Sequence, residues 1–539
     1  MRMLKPTTES ELKPISISKK ENYYTVGESI DPNDWQKGTV ADSIVKRTIE
    51  QYNANPDKGI ILLHDAGGNR QETVKALPRI IKYFKDRGIE FITVSKLLGK
   101  SKNELMPKVH NGLINFDFLI FDFGYWFMHF ITAVFWVAIF LGFFRILLIT
   151  VMVFIKKKKD SEIGIDNSAP KNKILPAVSI IVPAYNEELN AIKTIDNLLQ
   201  QDYPNFEIVF VDDDSKDSTY QKIFDLFSSH KKVTIYTKPN GGKAAALNFG
   251  ISKTSTDFVV CIDADTQLKS DAISQLMKKF TDEVGAVAGN VKVGNESTMI
   301  TKWQSIEYIT AQNFDRRAFD LINGITVVPG AIGAFRKEAI EKSGGFTTDT
   351  LAEDCDLTIR ILRNGYRVVN CVEAIAVTEA PETLNEFMKQ RFRWSYGVMQ
   401  SFWKNKDACF NPKYKGLGMV SLPNILIFQI ILPIFAPLAD LVLIVSLIWN
   451  QNNSDSLHKI LIYYLVFMLV DMMVSIIAFM FEKEKLSKLL WIIPQRFVYR
   501  QLMYVILFRA FREAIKGERK GWGALKRTGN VKELDTNSP

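Results

Sequence analysis

Four short polar clusters decide the fold expected of this chain: PAYNEE (183–188), VDDDS (211–215), NGGKAAALN (240–248) and DADT (263–266). Each cluster follows a short apolar run, and helical patterns separate these runs. The alternation predicts a mostly parallel α/β sheet wrapped by helices. Because open sheets of this class place ligands at the carboxyl ends of their strands, we expect the four clusters to meet at one edge.

The apolar runs have the length and composition of buried strands, within one predicted domain at residues 174–380. Buried parallel strands read as continuous apolar stretches rather than as alternating ones. The predicted strands of this domain are residues 177–183, 206–211, 233–237, 258–263 and 285–293.

Very apolar segments flank this domain. Residues 126–155 are interrupted only by His129 and Arg145, and because a membrane span needs about 20 residues, they predict one tilted transmembrane helix. Residues 160–173 form a predicted linker. The membrane region 421–511 has three apolar runs. They are residues 422–449 and 460–481, which are long enough to cross, and residues 489–511, whose Pro494, Gln495, Arg496 and Arg500 favour an interfacial position or a polar path.

The distribution of charge predicts how the chain is oriented in the membrane. The 539 residues carry a net charge of +9, and the basic residues cluster beside apolar segments, at Lys156–Lys159 and in the tail 512–539. This is typical of the cytoplasmic side of a membrane, and no nucleic-acid partner is expected. If both clusters are cytoplasmic, an even number of crossings separates them. We therefore expect a multi-pass protein of the cell (inner or plasma) membrane, with residues 174–380 in the cytoplasm.

The N-terminal region is expected on the other side of that membrane. Residues 1–22 are polar and predicted to be disordered, and they lack the apolar core of a signal peptide.

The four cysteines, Cys261, Cys355, Cys371 and Cys409, lack metal-binding spacing and are expected to be reduced.

The acidic clusters suit a nucleotide diphosphate held with a divalent metal. Asp263 and Asp265 alternate around Ala264 at the end of a predicted strand, where oxygen ligands for such an ion are expected. A D-x-D triplet alone is common on protein surfaces, and the neighbouring clusters give it weight. Asp212 or Asp213 has the position to bind a base or ribose, although helix capping is the structural alternative.

Two further clusters complete the predicted chemistry. The glycine turn before Lys243 offers amides and a cation to phosphate. Glu353 and Asp354, at the start of a predicted helix at residues 357–364, are candidates for a general base; spacing alone does not choose between them, and helix capping is again the alternative.

The stretch QRFRW (390–394) lies in the region 381–420, which is predicted to form amphipathic interface helices. Arg391 and Arg393 suit the charge of a diphosphate, and Trp394 offers a flat face for a sugar. Arginine and aromatic residues are also common in interfacial helices that bind nothing. Asp440 and Asp471, within apolar runs, are functional candidates unless they lie near the ends of their spans.

In order and spacing, these motifs together with AED (352–354) resemble those of processive family 2 glycosyltransferases over residues 175–530, including GWGALKRTG (521–529). The resemblance implies a cytosolic GT-A fold, a UDP-sugar donor, Mg or Mn, and a polymer extruded through the enzyme's own membrane helices. Two departures are visible: Asp214 replaces a usual Gly, and Ala352 replaces a frequent Thr. They bear on loop conformation and leave the acidic residues intact.

The resemblance also implies a role for each matched residue. Tyr185, Glu187 and Asp213 would contact uridine, and Lys243 the nucleotide region. Asp263 and Asp265 would hold the metal and diphosphate. Asp354 would be the base, Gln390, Arg391 and Arg393 would lie near the diphosphate, and Trp394 would lie under the acceptor sugar.

Residues 23–105 resemble the C-terminal part of a NodB-type polysaccharide deacetylase, through SIDPNDW (29–35) and ILLHDAGGNR (61–70). His64 would be the late catalytic histidine of that family. The early aspartate motif and the H-x-x-H pair are absent from the sequence, so this region is not expected to deacetylate by itself. A small truncated α/β piece is predicted, with strands at 60–64 and 90–95 and a helix at 71–86, either a remnant or half of an enzyme completed by another chain.

The sequence thus predicts a processive inverting enzyme that polymerises UDP-N-acetylglucosamine into a β-linked polysaccharide. The deacetylase-like region favours that sugar by analogy. The expected partners are the UDP-sugar, the growing polysaccharide, the lipid bilayer and a separate deacetylase or export subunit. Alternatives of the same chemistry are a hyaluronan- or cellulose-type synthase and single-sugar transfer to a lipid. An inactive export or scaffold subunit is the non-enzymatic alternative, against which the intact carboxylates argue.

Overall fold

A computed structural model describes residues 18, 24, 26–57, 59–66, 68–105, 113–164, 175–449, 454–516 and 528–531. The chain divides into two compact units, Met1–Ile120 and Phe121–Pro539. Most of the predicted disordered segment 1–22, of the linker 160–173 and of the tail 512–539 lies outside the described residues.

The first unit contains two packed helices, α1 (Ala41–Ala54) and α2 (Gln71–Lys85), and two short ones, α3 (Val94–Leu97) and α4 (Lys102–Leu105). Ile44, Ile80 and Phe84 form its core. The strand predicted at 60–64 is reduced to an isolated bridge between Ile30 and Ile61, and none forms at 90–95. A strand needs a neighbouring strand to complete its ladder, and the described part of this unit offers these segments none.

His64, which the resemblance makes a late catalytic histidine, is held by Asp34, a buried acid of the first unit. Its Nδ1 lies 2.8 Å from Oδ1 of Asp34, and its backbone amide donates to Asp34 Oδ2 at 2.9 Å. Thr73 donates its hydroxyl to the same Oδ2 at 2.9 Å. The histidine is therefore oriented by a buried carboxylate, and its catalytic role stays a prediction.

The second unit is built on an eight-stranded sheet with the order β3-β2-β1-β4-β7-β6-β8-β5. The strands are β1 (Val178–Ala184), β2 (Phe206–Asp212), β3 (Val233–Thr237), β4 (Phe258–Cys261), β5 (Thr266–Leu268), β6 (Val284–Val293), β7 (Gly333–Arg336) and β8 (Arg367–Thr378). Strands β1 to β4 are mutually parallel, as predicted, and β7 runs antiparallel between β4 and β6. All seven residues of β1 are buried, which explains its unbroken apolar sequence.

Helices cover the sheet and continue into the apolar region. In chain order they are α5 (Leu113–Gly164), α6 (Ala191–Leu199), α7 (Thr219–Phe227), α8 (Lys243–Ser252), α9 (Ala272–Lys278), α10 (Met299–Glu307), α11 (Phe314–Leu321), α12 (Lys337–Lys342), α13 (Glu353–Arg363), α14 (Leu384–Lys404), α15 (Leu432–Trp449), α16 (Ser454–Glu482) and α17 (Ile492–Lys516). A π-helical segment, Tyr308–Asn313, joins α10 to α11, and two others, Leu417–Ser421 and Ile425–Ile431, precede α15.

Two helical segments of the described chain are long and apolar enough to cross a membrane, Asp122–Glu162 and Leu417–Val445. They include most of the spans predicted at 126–155 and 422–449. The crossing predicted at 460–481 lies within α16 and stays a prediction, as does the interfacial position of 489–511. In α17, Arg496 bonds Asp471 of α16, and Arg500 bonds Asp440 of α15. These four charges therefore face each other across helices, which is how charged groups are accommodated among apolar helices.

Candidate functional site

A cavity of about 1570 Å³ opens beyond the carboxyl ends of β1, β2 and β4 and extends between the apolar helices. Every residue to which the resemblance gives a role lines it, as does Glu353: Tyr185, Glu187, Asp213, Lys243, Asp263, Asp265, Asp354, Gln390, Arg391, Arg393 and Trp394. Asp212, the alternative to Asp213, is not among the lining residues, and its Oδ2 accepts the amide of Ser215 at 3.1 Å. Parallel strands bring the ends of distant segments to one sheet edge, and α13 and α14 add theirs from the facing side. The structure brings the predicted residues together, and their individual roles stay predictions.

Asp213, which follows β2, organises the glycine turn. Its carboxylate accepts hydrogen bonds from the amides of Gly241 at 3.1 Å and Gly242 at 2.7 Å, and it lies 2.6 Å from Nζ of Lys238. Gly242 has a φ of +80°, which a side chain rarely adopts, and α8 begins directly after it. Asp213 therefore fixes the start of α8, in addition to any contact with uridine.

Asp214, which replaces a usual glycine, adopts a backbone conformation that glycine favours. Asp214 has a φ of +63°, in the left-handed region where glycine is most easily placed and where aspartate is among the better tolerated alternatives. The residue therefore keeps the backbone turn that the resemblance associates with glycine.

Lys243, the first residue of α8, lies between two acidic clusters. Its Nζ pairs with Oδ1 of Asp263 and lies 3.4 Å from Oε1 of Glu353. Burial would lower the pKa of Lys243, but the carboxylates of Asp263, Glu353 and Asp354 outweigh burial and raise it. Lys243 is therefore held as a buried cation between the two clusters.

Gly330 permits this close approach. A Cβ atom at position 330 would lie 2.4 Å from Nζ of Lys243 and 3.7 Å from Oδ1 of Asp263. Any side chain here would displace the lysine from its carboxylates. Gly330 is not recognisable from the sequence, because nothing in its local pattern indicates that a lysine packs against it.

Asp354 lies in the first turn of α13, where the helix dipole favours negative charge. Its Oδ1 accepts the amide of Cys355 at 2.8 Å. Burial and, less strongly, the adjacent Glu353 raise the pKa of Asp354, Lys243 acts in the opposite direction, and the net pKa is about 6. A carboxyl group with a pKa near the working pH suits general base catalysis.

Asp263 and Asp265 flank the turn between β4 and β5. Asp265 is buried, and its Oδ1 accepts from the hydroxyls of Thr266 and Thr378, each at 3.3 Å. Within the described residues, no group of three or more His, Cys, Asp and Glu side chains could hold a metal ion. Two protein carboxylates are compatible with an ion that takes its remaining ligands from phosphate and water.

In the QRFRW stretch, Arg391 is buried and engaged by protein. Its Nη1 donates to Oε1 of Glu307 at 3.0 Å, and its guanidinium lies 4.2 Å from the ring centroid of Trp394. Tyr499 of α17 also bonds Glu307. Arg391 therefore supports the Trp394 ring and ties α14 to α17, while its predicted contact with diphosphate stays a prediction.

Comparison with known proteins identifies the domain. Residues 179–344, which include β1 to β4 and the acidic clusters, match the family model described as Glycosyl transferase family 2. The chain is a glycosyltransferase with a family 2 domain. Its sheet has the GT-A-like form expected from the sequence.

Curated relatives share part of this glycosyltransferase. A poly-beta-1,6-N-acetyl-D-glucosamine synthase of Staphylococcus epidermidis is 29% identical over 51% of this chain and 68% of its own length. The synthase of that name from Staphylococcus aureus (strain COL) is 32% identical over 41% of this chain and 55% of its own. Among solved structures, the mannosyltransferase PcManGT from Pyrobaculum calidifontis, in complex with GDP-Man and Mn2+, has a TM-score of 0.51 at 21% identity. The match covers 72% of this chain and 99% of that one.

Two further features of the glycosyltransferase site escaped sequence reasoning. Glu379, after β8, lines the cavity and accepts hydrogen bonds from the amides of Thr528 at 2.6 Å and Gly529 at 3.1 Å. These residues end the GWGALKRTG motif, whose residues 521–527 lie outside the described part of the chain. Glu307, the partner of Arg391, belongs to no motif.

Replacing Gly330 by alanine is expected to lower the initial rate of sugar transfer about 10- to 100-fold, because displacement of a catalytic-site cation by about 1 Å is costly. The thermal unfolding midpoint should change little, because the side chain that must move is the flexible end of Lys243. Gly142→Ala is the matched control, since a Cβ there meets nothing within 4 Å. Equal rates for both variants would contradict this assignment.

The rate should also depend on pH. Asp354 must be ionised to accept a proton, so kcat/KM for the donor, which reports groups of the free enzyme, is expected to fall as the pH decreases through about 6. Initial rates between about pH 5 and 8 measure this, with circular dichroism to confirm that the protein stays folded. A rate that is constant across this interval would exclude a base with such a pKa.

Proposed function

We propose that this glycosyltransferase is embedded in the cell membrane and polymerises UDP-N-acetylglucosamine into a β-linked polysaccharide with inversion at the anomeric carbon. One observation carries the proposal. A single cavity joins the carboxylates at the sheet edge, including Asp263 and Asp354, to lining residues of the apolar helices, such as Arg145 and Arg500. Such a cavity accommodates a donor at one end and an acceptor that continues between the helices.

In this proposal Asp354 takes the proton of the acceptor hydroxyl as its oxygen attacks the anomeric carbon. The bond from that carbon to the diphosphate breaks, and UDP leaves with the electron pair. Lys243 and Arg393 supply positive charge near the departing diphosphate, while Tyr185, Glu187 and Asp213 bind uridine. Gln390 orients the diphosphate, and Trp394 supports the acceptor sugar through its ring.

The oxygen donors of Asp263 and Asp265 fit a divalent ion such as Mg or Mn. Both carboxylates line the cavity beside the proposed diphosphate position. When bound, such an ion neutralises charge on the diphosphate. The complex of PcManGT with GDP-Man and Mn2+ supports a divalent ion, because that protein shares the fold.

The names of the curated relatives support a polymer of N-acetylglucosamine alone over hyaluronan or cellulose. The two apolar helical segments support a membrane location, with the glycosyltransferase domain in the cytoplasm and the N-terminal region on the other side. The buried, mutually charge-balanced site residues support an enzyme rather than an inactive export subunit.

Substituting Asp354 by Asn is expected to lower polymer synthesis by a factor of about 100 to 10,000, because the base is lost while shape is kept. Purified membranes incubated with radiolabelled UDP-N-acetylglucosamine give both rate and product length. Asp225→Asn, at an exposed acid, is the matched control. Single additions per acceptor would defeat polymerisation, and unchanged output in the Asp354 variant would defeat its role as the base.

Removal of divalent ions by EDTA is expected to stop transfer, and addition of Mg or Mn should restore it. The Asp265→Asn variant should need a higher ion concentration for half-maximal rate, because one oxygen ligand is weakened. The rate measured against ion concentration tests both statements. Full activity in EDTA would remove the metal from the proposal.

A further inference from the structure

The part of the cavity between the apolar helices, called here the helical limb, is lined from α5, residues 421–433, α16 and α17. Within the described residues, these helices contribute three arginines to the lining, Arg145, Arg496 and Arg500, and no lysine. The charges in this limb decide which polymers it can accommodate.

Each of the three arginines is matched by an aspartate. Arg145 pairs with Asp315 of α11, and its Nε donates to Oδ1 of Asn424 at 2.7 Å. Nε of Arg496 donates to Oδ2 of Asp471 at 2.8 Å. Nη2 of Arg500 donates to Oδ1 of Asp440 at 2.7 Å.

The third pair is further satisfied by neutral groups. The hydroxyl of Tyr504 donates to Oδ2 of Asp440 at 2.9 Å, and Nε2 of Gln501 donates to the same atom at 3.1 Å. The other polar residues that these helices contribute to the lining are neutral. They are Ser421, Asn424, Gln429, Ser475, Gln495, Tyr499 and Tyr504.

We propose that the helical limb selects an uncharged glycan, and that the charge balance within its three Arg–Asp pairs determines this specificity; the inference rests on the proposed function of the cavity. Neutral amides and hydroxyls can exchange hydrogen bonds with sugar hydroxyls and acetamido groups. A uronate carboxylate would leave water and meet, from these helices, arginines already paired with aspartate. Arg316 of α11, which also lines the cavity, donates to the carbonyl of Gly289 and to Asn313 Oδ1. A free amino sugar would meet only aspartates already paired with arginine.

Selection of an uncharged glycan distinguishes the preferred polymer from hyaluronan, which carries a carboxylate in every disaccharide. The same selection distinguishes ion pairs that act in specificity from ion pairs that are purely structural. If the ion pairs only joined helices, replacing one member of a pair by a neutral residue would leave the relative affinity for neutral and charged glycans unchanged.

The test uses the full chain purified in detergent and measures binding of oligosaccharides by calorimetry. The probes are N-acetylglucosamine oligomers, partly deacetylated oligomers of the same length, and hyaluronan oligomers. The neutral probe is expected to bind at least about tenfold more tightly than either charged probe, a difference of about 1.4 kcal/mol. Equal affinities, or preference for a charged probe, would overturn the inference.

Two single variants predict opposite shifts. Asp471→Asn leaves Arg496 unmatched, so the affinity ratio of hyaluronan to neutral oligomers should rise about tenfold. Arg496→Gln leaves Asp471 unmatched, so the ratio of deacetylated to neutral oligomers should rise instead. The double variant Asp471→Asn with Arg496→Gln restores charge balance and should recover the neutral preference. A single variant that folds and keeps the wild-type ratios would overturn the inference, and if neither folds, the wild-type comparison decides it.

A separate experiment shows whether the proposed function itself is wrong. Absence of polymer from UDP-N-acetylglucosamine in wild-type membranes would defeat that proposal, whereas the binding ratios would still report the charge preference of the limb.

Discussion

The site depends on one buried cation placed between carboxylates from different parts of the chain. Lys243 meets Asp263 from the end of β4 and Glu353 from the start of α13. Without it, Asp354 would lose the positive charge that opposes the effects of burial and of Glu353, and its protonation would be favoured. The start of α13 offers a second, weaker source of stabilisation through its helix dipole. The lysine therefore favours the ionised form of Asp354, on which the proposed chemistry relies.

The position of that lysine is fixed by backbone rather than by side-chain packing alone. Asp213 holds the amides of Gly241 and Gly242, and the left-handed conformation of Gly242 turns the chain into α8. Gly330 leaves room for the ammonium group from the opposite side. The sheet-edge side of the cavity is thus preorganised by hydrogen bonds that need no ligand, which is the condition for electrostatic stabilisation of the proposed leaving group.

Sequence patterns reveal the parts of this fold whose signal is local. Strands β1 to β4 are buried and parallel, so their apolar runs and the polar clusters after them could be read directly. Strands such as β5, with three residues, and β7, with four, are too short to show periodicity, and their antiparallel partners lie far away in sequence. Both strands predicted in residues 23–105 lacked the neighbours that a ladder requires. Gly330 and Glu307 act through contacts with distant residues, and Arg145 and Asp315 are 170 positions apart, a distance that no local pattern spans.

The helix α5 is attached at two points to α11, a helix that contacts strand β8 of the sheet. Arg145 pairs with Asp315 and Lys156 with Asp320 at 3.1 Å, both acids belonging to α11. The two basic residues are separated by about 16 Å along the helix axis, given a rise of about 1.5 Å per residue. Two attachments this far apart resist both hinging and sliding of α5 against α11. In the proposed synthase, forward movement of the polymer is therefore expected to come from loops and side chains rather than from rocking of α11 against α5.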